Sequence, residues 1–257
     1  MNSKIKLKTK IEYAGKSYSI NSVNGFDLSL KNNFDGKNPI FFNAKQSSIT
    51  AIQNEEFTGD LMKGGSCNVY TANVDIHCNG THTECISHIN DVQIKIVDVC
   101  PNELIPSQLI SLKPEKISDT KDSYHVNLTS ELVISQKMIA DKIKKPVESL
   151  IIRTLPNFKF KKSRNYDENP APFFTSEAIE YINELSIEHL LVDIPSIDRA
   201  DDGGMLGNHH AFFKRGKTIS ELLYISNSIK DGFGFLQIQI PNWNLDAAPS
   251  RPIFYPM

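Results

Sequence analysis

The twelve residues His77-Cys78-Asn79-Gly80-Thr81-His82-Thr83-Glu84-Cys85-Ile86-Ser87-His88 carry three imidazoles, one carboxylate and two thiols. Such a density of metal ligands and proton carriers is not what an ordinary surface loop needs. In an extended segment residues i and i+2 project to the same side, so His82 and Glu84 can meet one divalent cation. Gly80-Thr81 ahead of them permits a tight backbone path, and His88 reaches the same point if the chain curls. A lone His/Glu pair is more often a hydrogen-bonded loop feature; three histidines this close favour a site. A second group is His209-His210, preceded by the polar, Gly-containing run 198–208 and followed by Glu221 between Ile219 and Leu222-Leu223. If that carboxylate points inward it needs a partner to offset its desolvation; on the surface of a short amphipathic helix it needs none. Five of the seven histidines fall in the two groups, which ties the groups together.

Both groups need elements to hold them. Residues 69–76 read as extended, with Val74 and Ile76 alternating with Asn73 and Asp75, and they lead into His77. Residues 92–99 alternate again and are expected to pair nearby, leaving the motif on a long loop fixed at both ends. Upstream, residues 4–29 read as short strands broken at Ala14-Gly15 and at the turn dipeptide Asn24-Gly25. Downstream, a strand is expected at 124–128, a helix at 135–143 and a buried strand at 150–153. Residues 159–172, basic and Pro-containing, read as an exposed excursion. Thr175 fits a helix N-cap, with Glu177 in the first turn and Ile179, Ile182 and Leu185 on a buried face. Core strands follow at 190–192 and 235–240. Strand-rich hairpins in one half and alternating helices and strands in the other predict a mixed α/β fold.

The composition of the 257-residue chain, with 40% apolar and 23% charged residues and a net charge of −2, describes a globular protein with a sizeable core. No linker divides it, so a single domain is expected. Near-neutral charge with scattered lysines gives no footprint for nucleic acid or a membrane surface, and neither partner is expected. The N-terminus alternates Lys with Ile and Leu like an edge strand, not a signal peptide, and no apolar run is long enough to span a bilayer. Cys67, Cys78, Cys85 and Cys100 lie in one third of a chain that does not need disulfide staples. Reduced thiols and a cytoplasmic location are expected.

Taken together, the two groups resemble the Putative cyclase family of metal-dependent hydrolases, which includes bacterial kynurenine formamidases and isatin hydrolases. The family's hallmark, His-x-Gly-Thr-His-x-Asp-x-Pro-x-His, is matched by Cys78-Asn79-Gly80-Thr81-His82-Thr83-Glu84-Cys85-Ile86-Ser87-His88. Val192-Asp193-Ile194-Pro195-Ser196-Ile197-Asp198, then His209-His210, then Glu221 follow its later signature, so the match runs roughly from Asn68 to the C-terminus. The resemblance implies an α/β fold, a mixed-sheet domain of the swivelling β/β/α type spanning residues 1–257, with 1–60 as its strand-rich N-terminal extension. It implies Cys78, His82, Glu84, His209 and Glu221 as metal ligands, Glu84 standing for a bridging Asp, and His88 as general acid/base. The implied cofactor is a divalent metal, zinc or manganese. The implied reaction is hydrolysis of an aryl formamide or related amide, a C–N bond other than a peptide bond, with N-formylkynurenine of tryptophan catabolism as the best-known substrate. A homodimer or homotetramer is implied, and its N-terminal strands are candidates for exchange between subunits.

The chain departs from the pattern twice. Cys78 stands where the family has its first metal-binding histidine, and this chain's own histidine comes one residue earlier, at His77. Neighbours on an extended segment face opposite sides, so the two are rivals for one position. Cys78 as a ligand predicts zinc over manganese; the alternative is an unligated buried thiol. The second departure puts Glu84 and Ile86 where the family has Asp and Pro, and the extra methylene is expected to shift the metal or cost one ion. An aryl substrate wants an apolar wall, for which Trp243 and Phe26 are candidates beside their plainer role as core or rim. A small-molecule-binding or scaffolding protein, catalytically impaired by these changes, is the competing reading, and turnover of a panel of formamides, lactones and cyclic amides separates the two. A Cys85 nucleophile with His88 lacks the third, orienting group that such catalysis needs.

Overall fold

A computed structural model describes residues 8–214 and 216–257; the part of the predicted N-terminal strand at residues 4–7 lies outside them. The chain begins with a hairpin of β1 (Lys8–Tyr13) and β2 (Lys16–Asn21), then β3 (Phe26–Asp27). Strands β4 (Ser48–Ala51) and β5 (Tyr70–Asn73) pair with each other as a separate antiparallel ribbon. β6 (His82–Glu84), helix α1 (Ile96–Val99), β7 (Ile105–Leu112), β8 (Glu115–Lys116), β9 (Leu132–Ile134) and α2 (Gln136–Ala140) follow. Then come β10 (Ser149–Thr154), β11 (Phe173–Phe174), α3 (Ser176–Glu184), β12 (His189–Val192), α4 (Gly207–Phe212), β13 (Thr218–Glu221), β14 (Gly232–Gln239), β15 (Ala247–Pro249) and β16 (Arg251–Pro256).

Nine of these strands form one mixed sheet in the order β15-β6-β13-β12-β10-β7-β14-β16-β3. Its centre, β7, β10, β12 and β13, is parallel, and antiparallel strands flank it on both sides. Every residue of β10 and β12 is buried, as expected for parallel strands covered on both faces. The alternation of side chains divides them between two cores. Leu150, Ile152, Leu190 and Val192 pack under the helices with Ile139, Ile179, Ile182 and Phe212, whereas Ile151 and Leu191 pack on the other face with Ile96, Leu236 and Phe254.

The mixed α/β expectation holds, as do the core strands near 150, 190 and 235. Thr175 caps α3, its side chain accepting from Ala178 N at 3.2 Å, with Ile179 and Ile182 buried. Three expectations need correction. Residues 92–99 are not a strand: the Lys95 N–H donates to Asp98 Oδ2 at 3.3 Å and closes the short turn α1, which buries Ile96. The partner of β5 is therefore β4. Residues 124–128 form no strand, because Tyr124 turns in against Val133 and Phe173. The 159–172 excursion is anchored inward, since Lys161 Nζ donates to Asp193 Oδ2 at 2.8 Å and to both Thr154 oxygens, with Lys161 only 7% exposed. No helix among the described residues is long and apolar enough to cross a membrane.

Candidate active site

The expected loop is a strand of the main sheet at its middle, His82–Glu84, with turns before and after it. β6 runs antiparallel to β13 with His82 opposite Glu221 and Ile219 opposite Glu84, so His82, Glu84 and Glu221 share one face at the C-terminal end of the parallel strands. Open α/β sheets place their ligands at that end. Glu221 therefore ends a buried strand and does not lie on an amphipathic helix. Local ties fix the junction. Thr81 Oγ1 donates to Leu222 O at 2.6 Å and accepts from Leu30 N at 2.7 Å, pinning a residue held in the left-handed region at φ 54°. Gly80 packs close to the Asn32 side chain: a Cβ there would lie 2.4 Å from Asn32 Oδ1 and displace it.

His209 arrives from above on α4. The 198–207 loop that leads to it is organised by Asp202, whose carboxylate accepts from Gly204 N, Met205 N and Leu206 N and lies 3.2 Å from His125 Nε2. Asp198 Oδ2 accepts from His209 Nδ1 at 2.7 Å, and Asp198 Oδ1 accepts from Tyr124 Oη, also at 2.7 Å. A carboxylate on one ring nitrogen fixes the tautomer and turns the other toward the site. Residue spacing alone assigns Asp198 no role; the structure sets it against His209.

Two groups of possible metal ligands converge, and Glu84 belongs to both: His82, Glu84 and Glu221, fully buried, and His77, Glu84 and His88 at the opening. His82 Nδ1 donates to Gly80 O at 3.0 Å, which leaves Nε2 bare, 3.8 Å from Glu84 Oε2 and 3.7 Å from Glu221 Oε2. His82 Nε2 is buried without a hydrogen-bond partner. A lone pair facing two carboxylates in the interior is costly unless a cation lies between them. These donors, imidazole nitrogens and carboxylate oxygens, suit a divalent ion. His209 Nε2 lies 3.2 Å from Glu84 Oε1 and 3.7 Å from Glu221 Oε1, completing the ring of donors.

Electrostatics set the proton inventory. Burial lowers His82 to about 4, with the charge of His77 adding to it, so the ring is neutral and available as a ligand. Burial and the nearby Glu84 charge raise Glu221 to about 7. Burial also raises the carboxyl of Glu84, but the charge of His88 and hydrogen bonding with His209 and His77 outweigh it and hold Glu84 well below the usual range. Burial opposes charge on His77, yet its bonds to Asp246 and Glu84 raise it to about 10. His209 is likewise raised, against burial, by Asp198, Glu221 and Glu84.

Of the sequence-derived site residues, His82, Glu84, His88, His209 and Glu221 come together, and all but His82 line one cavity of about 470 Å³. His77 and Cys78 line it too. His77 Nδ1 is 3.1 Å from Glu84 Oε2, whereas Cys78 belongs to none of the ligand groups, and burial raises its thiol to about 11. His210 is exposed. Cys85 is buried in the core beside Leu28 and Ile96, so it is no partner for His88. The apolar wall is not Trp243 or Phe26, which lie outside the cavity; Phe41, Phe42 and Pro195 supply it. Phe42 is 68% exposed, at φ 60°, and the backbone N–H groups of Phe42 and Asn43 donate to Asp167 at 2.8 and 2.9 Å. Asp246 was also missed: its Oδ2 lies 3.1 Å from His77 Nε2 and 3.5 Å from His88 Nδ1, contacts across a sequence gap that no motif spans.

Comparison with known proteins finds relatives in sequence and in fold. The sequence model of the family described as Putative cyclase matches residues 26–199, beginning upstream of the motif and stopping short of His209 and Glu221. A kynurenine formamidase of Bacillus mycoides is 25% identical over 193 residues, 75% of this chain and 82% of that protein. One from Bacillus cereus is 25% identical over 195 residues, covering 76% and 83%. Among solved structures, a protein described as a predicted metal-dependent hydrolase from Bacillus stearothermophilus superposes with a TM-score of 0.61 at 20% identity, covering 91% of this chain and 98% of that one. Isatin hydrolase A from Labrenzia aggregata superposes with a TM-score of 0.63 at 16% identity, covering 91% and 95%.

Proposed function

The chain belongs to the Putative cyclase family, and from that premise we propose that it is a metal-dependent hydrolase of an aryl formamide or related amide. The single observation that carries the reading is the buried, unpartnered His82 Nε2, which lies 3.8 Å from Glu84 Oε2 and 3.7 Å from Glu221 Oε2 inside a ring of nitrogen and oxygen donors. His82, Glu84, His209 and Glu221 would hold a divalent cation, zinc or manganese, since the set is half imidazole and half carboxylate and a preference for zinc rests on Cys78 as a ligand. Bound there, the cation supplies Lewis acidity, bringing the ionisation of water from about 16 toward about 7 and polarising a carbonyl oxygen. The kynurenine formamidases among its relatives support an aryl formamide such as N-formylkynurenine as substrate.

The residues of the chain divide the remaining work. Asp198 holds His209 by its Nδ1, and the Gly80 carbonyl holds His82 by its Nδ1, so both rings present Nε2 without rearrangement. His88, at the cavity wall, carries a proton to the nitrogen that departs as water adds to the carbonyl carbon and the C–N bond breaks; a positioned acid of this kind contributes roughly 10²- to 10⁴-fold. Phe41 and Phe42 offer an aryl ring its apolar surface. The same proposal includes assembly as a homodimer or homotetramer. It is supported by the β4–β5 ribbon and the chain beside it, which leave Ile49, Ile52, Leu61, Met62, Val69 and Tyr70 exposed. Sedimentation as a stable monomer would count against assembly.

The test of function is turnover of N-formylkynurenine and simpler aryl formamides by the purified chain, before and after chelation and with His82→Ala. Chelation and the substitution are each expected to abolish turnover, and re-addition of metal to restore it in the native chain only. Full activity in metal-free protein sinks the reading.

A further inference from the structure

His77 and His88 are not two independent histidines at the mouth of the cavity. Their rings lie 4.3 Å apart, inclined by 33°, and each spans the same two carboxylate oxygens. His77 directs Nε2 to Asp246 Oδ2 at 3.1 Å and Nδ1 to Glu84 Oε2 at 3.1 Å. His88 directs Nδ1 to Asp246 Oδ2 at 3.5 Å and Nε2 to Glu84 Oε2 at 3.7 Å. Asp246 thus takes the outward nitrogen of both rings, while the inward nitrogens face Glu84 and the cavity.

The backbone places Asp246 there securely. In β15, Ala247 pairs with Glu84, and the carbonyl of Asp246 accepts from Cys85 N at 3.0 Å. The carboxylate is therefore fixed beside the end of β6, between the segment that brings His77 in and the turn that ends at His88. It lies beyond residue 199, outside the stretch that the family model covers.

We propose that Asp246 is a positioning residue that orients His77 and His88 together, making His77, and not Cys78, the donor that completes the metal centre from the N-terminal side of β6. The proposal rests on the divalent-metal reading above. A carboxylate on the far nitrogen of a ligating imidazole fixes which nitrogen is free and how the ring is turned. For His77 that free nitrogen is Nδ1, 3.1 Å from the carboxylate that both ligand groups share. Cys78, one residue on in the turn at residues 76–78, lines the same cavity but belongs to neither group. The one-residue displacement of the histidine from the family's pattern is thus accommodated by a carboxylate that enters from a distant strand.

The test is titration of the metal-stripped, full-length chain with Co²⁺, followed by visible and near-ultraviolet absorbance, in native, Asp246→Asn, Asp246→Glu and Cys78→Ser forms. Asp246→Asn is expected to bind Co²⁺ about 10- to 100-fold more weakly, with Asp246→Glu recovering most of the loss. Cys78→Ser should bind as the native chain does, and no form should show a thiolate-to-cobalt charge-transfer band. Should Asp246→Asn fail to fold, Asp246→Ser is read in its place. Native affinity in the Asp246 variant, or a thiolate band that Cys78→Ser removes, overturns the inference while leaving the metal reading standing. A folded native chain that takes up no Co²⁺ overturns the metal reading itself, and this inference with it.

Discussion

Glu221 should make the chain less stable when metal-free and more stable when loaded, so one substitution separates the two states. In the metal-free chain its carboxyl is raised by burial and by the Glu84 charge to about 7, from an ordinary 4.5. Between those values the folded chain holds a proton that the unfolded chain has released. Stability therefore falls as the pH rises through this window, and the deficit is complete above about 7. Converted at about 1.4 kcal/mol per unit and discounted for sharing with Glu84, the deficit is about 1–3 kcal/mol. Glu221→Gln removes the charge but keeps an oxygen to accept from Ile197 N, a bond of 3.0 Å in the native chain. Under chelation at pH 8 the variant should thus be the more stable form by that amount, several degrees in Tm for a chain of this size, with the gap almost gone at pH 5. At a divalent-ion concentration about 100 times the native Kd, the native chain gains about 2.7 kcal/mol. A variant binding about 100-fold more weakly gains only about 0.4 kcal/mol, so the gap should close by about 2 kcal/mol. Urea unfolding followed by far-ultraviolet circular dichroism, with and without chelator at both pH values, measures four stabilities for each of the two chains. A chelated variant no more stable than the native chain at pH 8, or one that keeps the full gain from metal, refutes the reasoning.

Other perturbations test the scaffold around the centre. Burial lowers His189 to about 4 from 6.5, and its Nδ1 is 2.8 Å from Thr218 Oγ1; the unfolded chain is protonated first as the pH falls, so stability should drop between about 6.5 and 4. The drop should exceed that of His189→Gln by up to about 3 kcal/mol, and equal acid sensitivity of the two chains would refute it. Lys161→Met leaves Asp193 buried without its cation and should cost about 3–5 kcal/mol in denaturant unfolding; a cost under about 1 kcal/mol would mean that the Thr154 bonds suffice. Gly207→Ala would place a Cβ 2.3 Å from His125 Nδ1, displacing the start of α4 and with it His209. Its kcat/KM should fall about 100-fold with the circular dichroism spectrum unchanged, and native kinetics would show that α4 does not set the His209 geometry.

What was legible in the sequence was whatever is encoded locally. His82 and Glu84 were readable because a two-residue spacing on an extended segment fixes a shared face whatever surrounds it, and Thr175 because a cap is a contact within one turn. The 92–99 segment was misread because its alternating apolar residues are consistent with burial in either conformation, and the Lys95 N–H bond to the Asp98 carboxylate, with the backbone bonds Asp98 N to Lys95 O and Cys100 N to Ile96 O, decides for a turn. Lys161 was misread because a basic, Pro-containing stretch gives no hint of a carboxylate 32 residues away. Asp246 and the Phe41-Phe42 wall were invisible for the same reason: they join the site across 169 residues of sequence in one case and through an irregular loop in the other. The family resemblance supplied His209 and Glu221, which spacing alone left as surface candidates.

The two departures from the family's pattern make sense as one change. Moving the first histidine back one residue, from position 78 to position 77, shifts its starting point within the turn at residues 76–78 and changes what length of carboxylate meets it. Glu84 is longer than Asp by one methylene, a reach of about 1.5 Å, and its Oε2 does meet His77 Nδ1 at 3.1 Å while lying 3.8 Å from His82 Nε2 and 3.7 Å from His88 Nε2. Its other oxygen is 3.2 Å from His209 Nε2. The longer side chain is what lets one carboxylate serve every imidazole of the site, and Asp246 holds the displaced histidine where that carboxylate can reach it. The two departures thus meet in one contact, His77 Nδ1 to Glu84 Oε2.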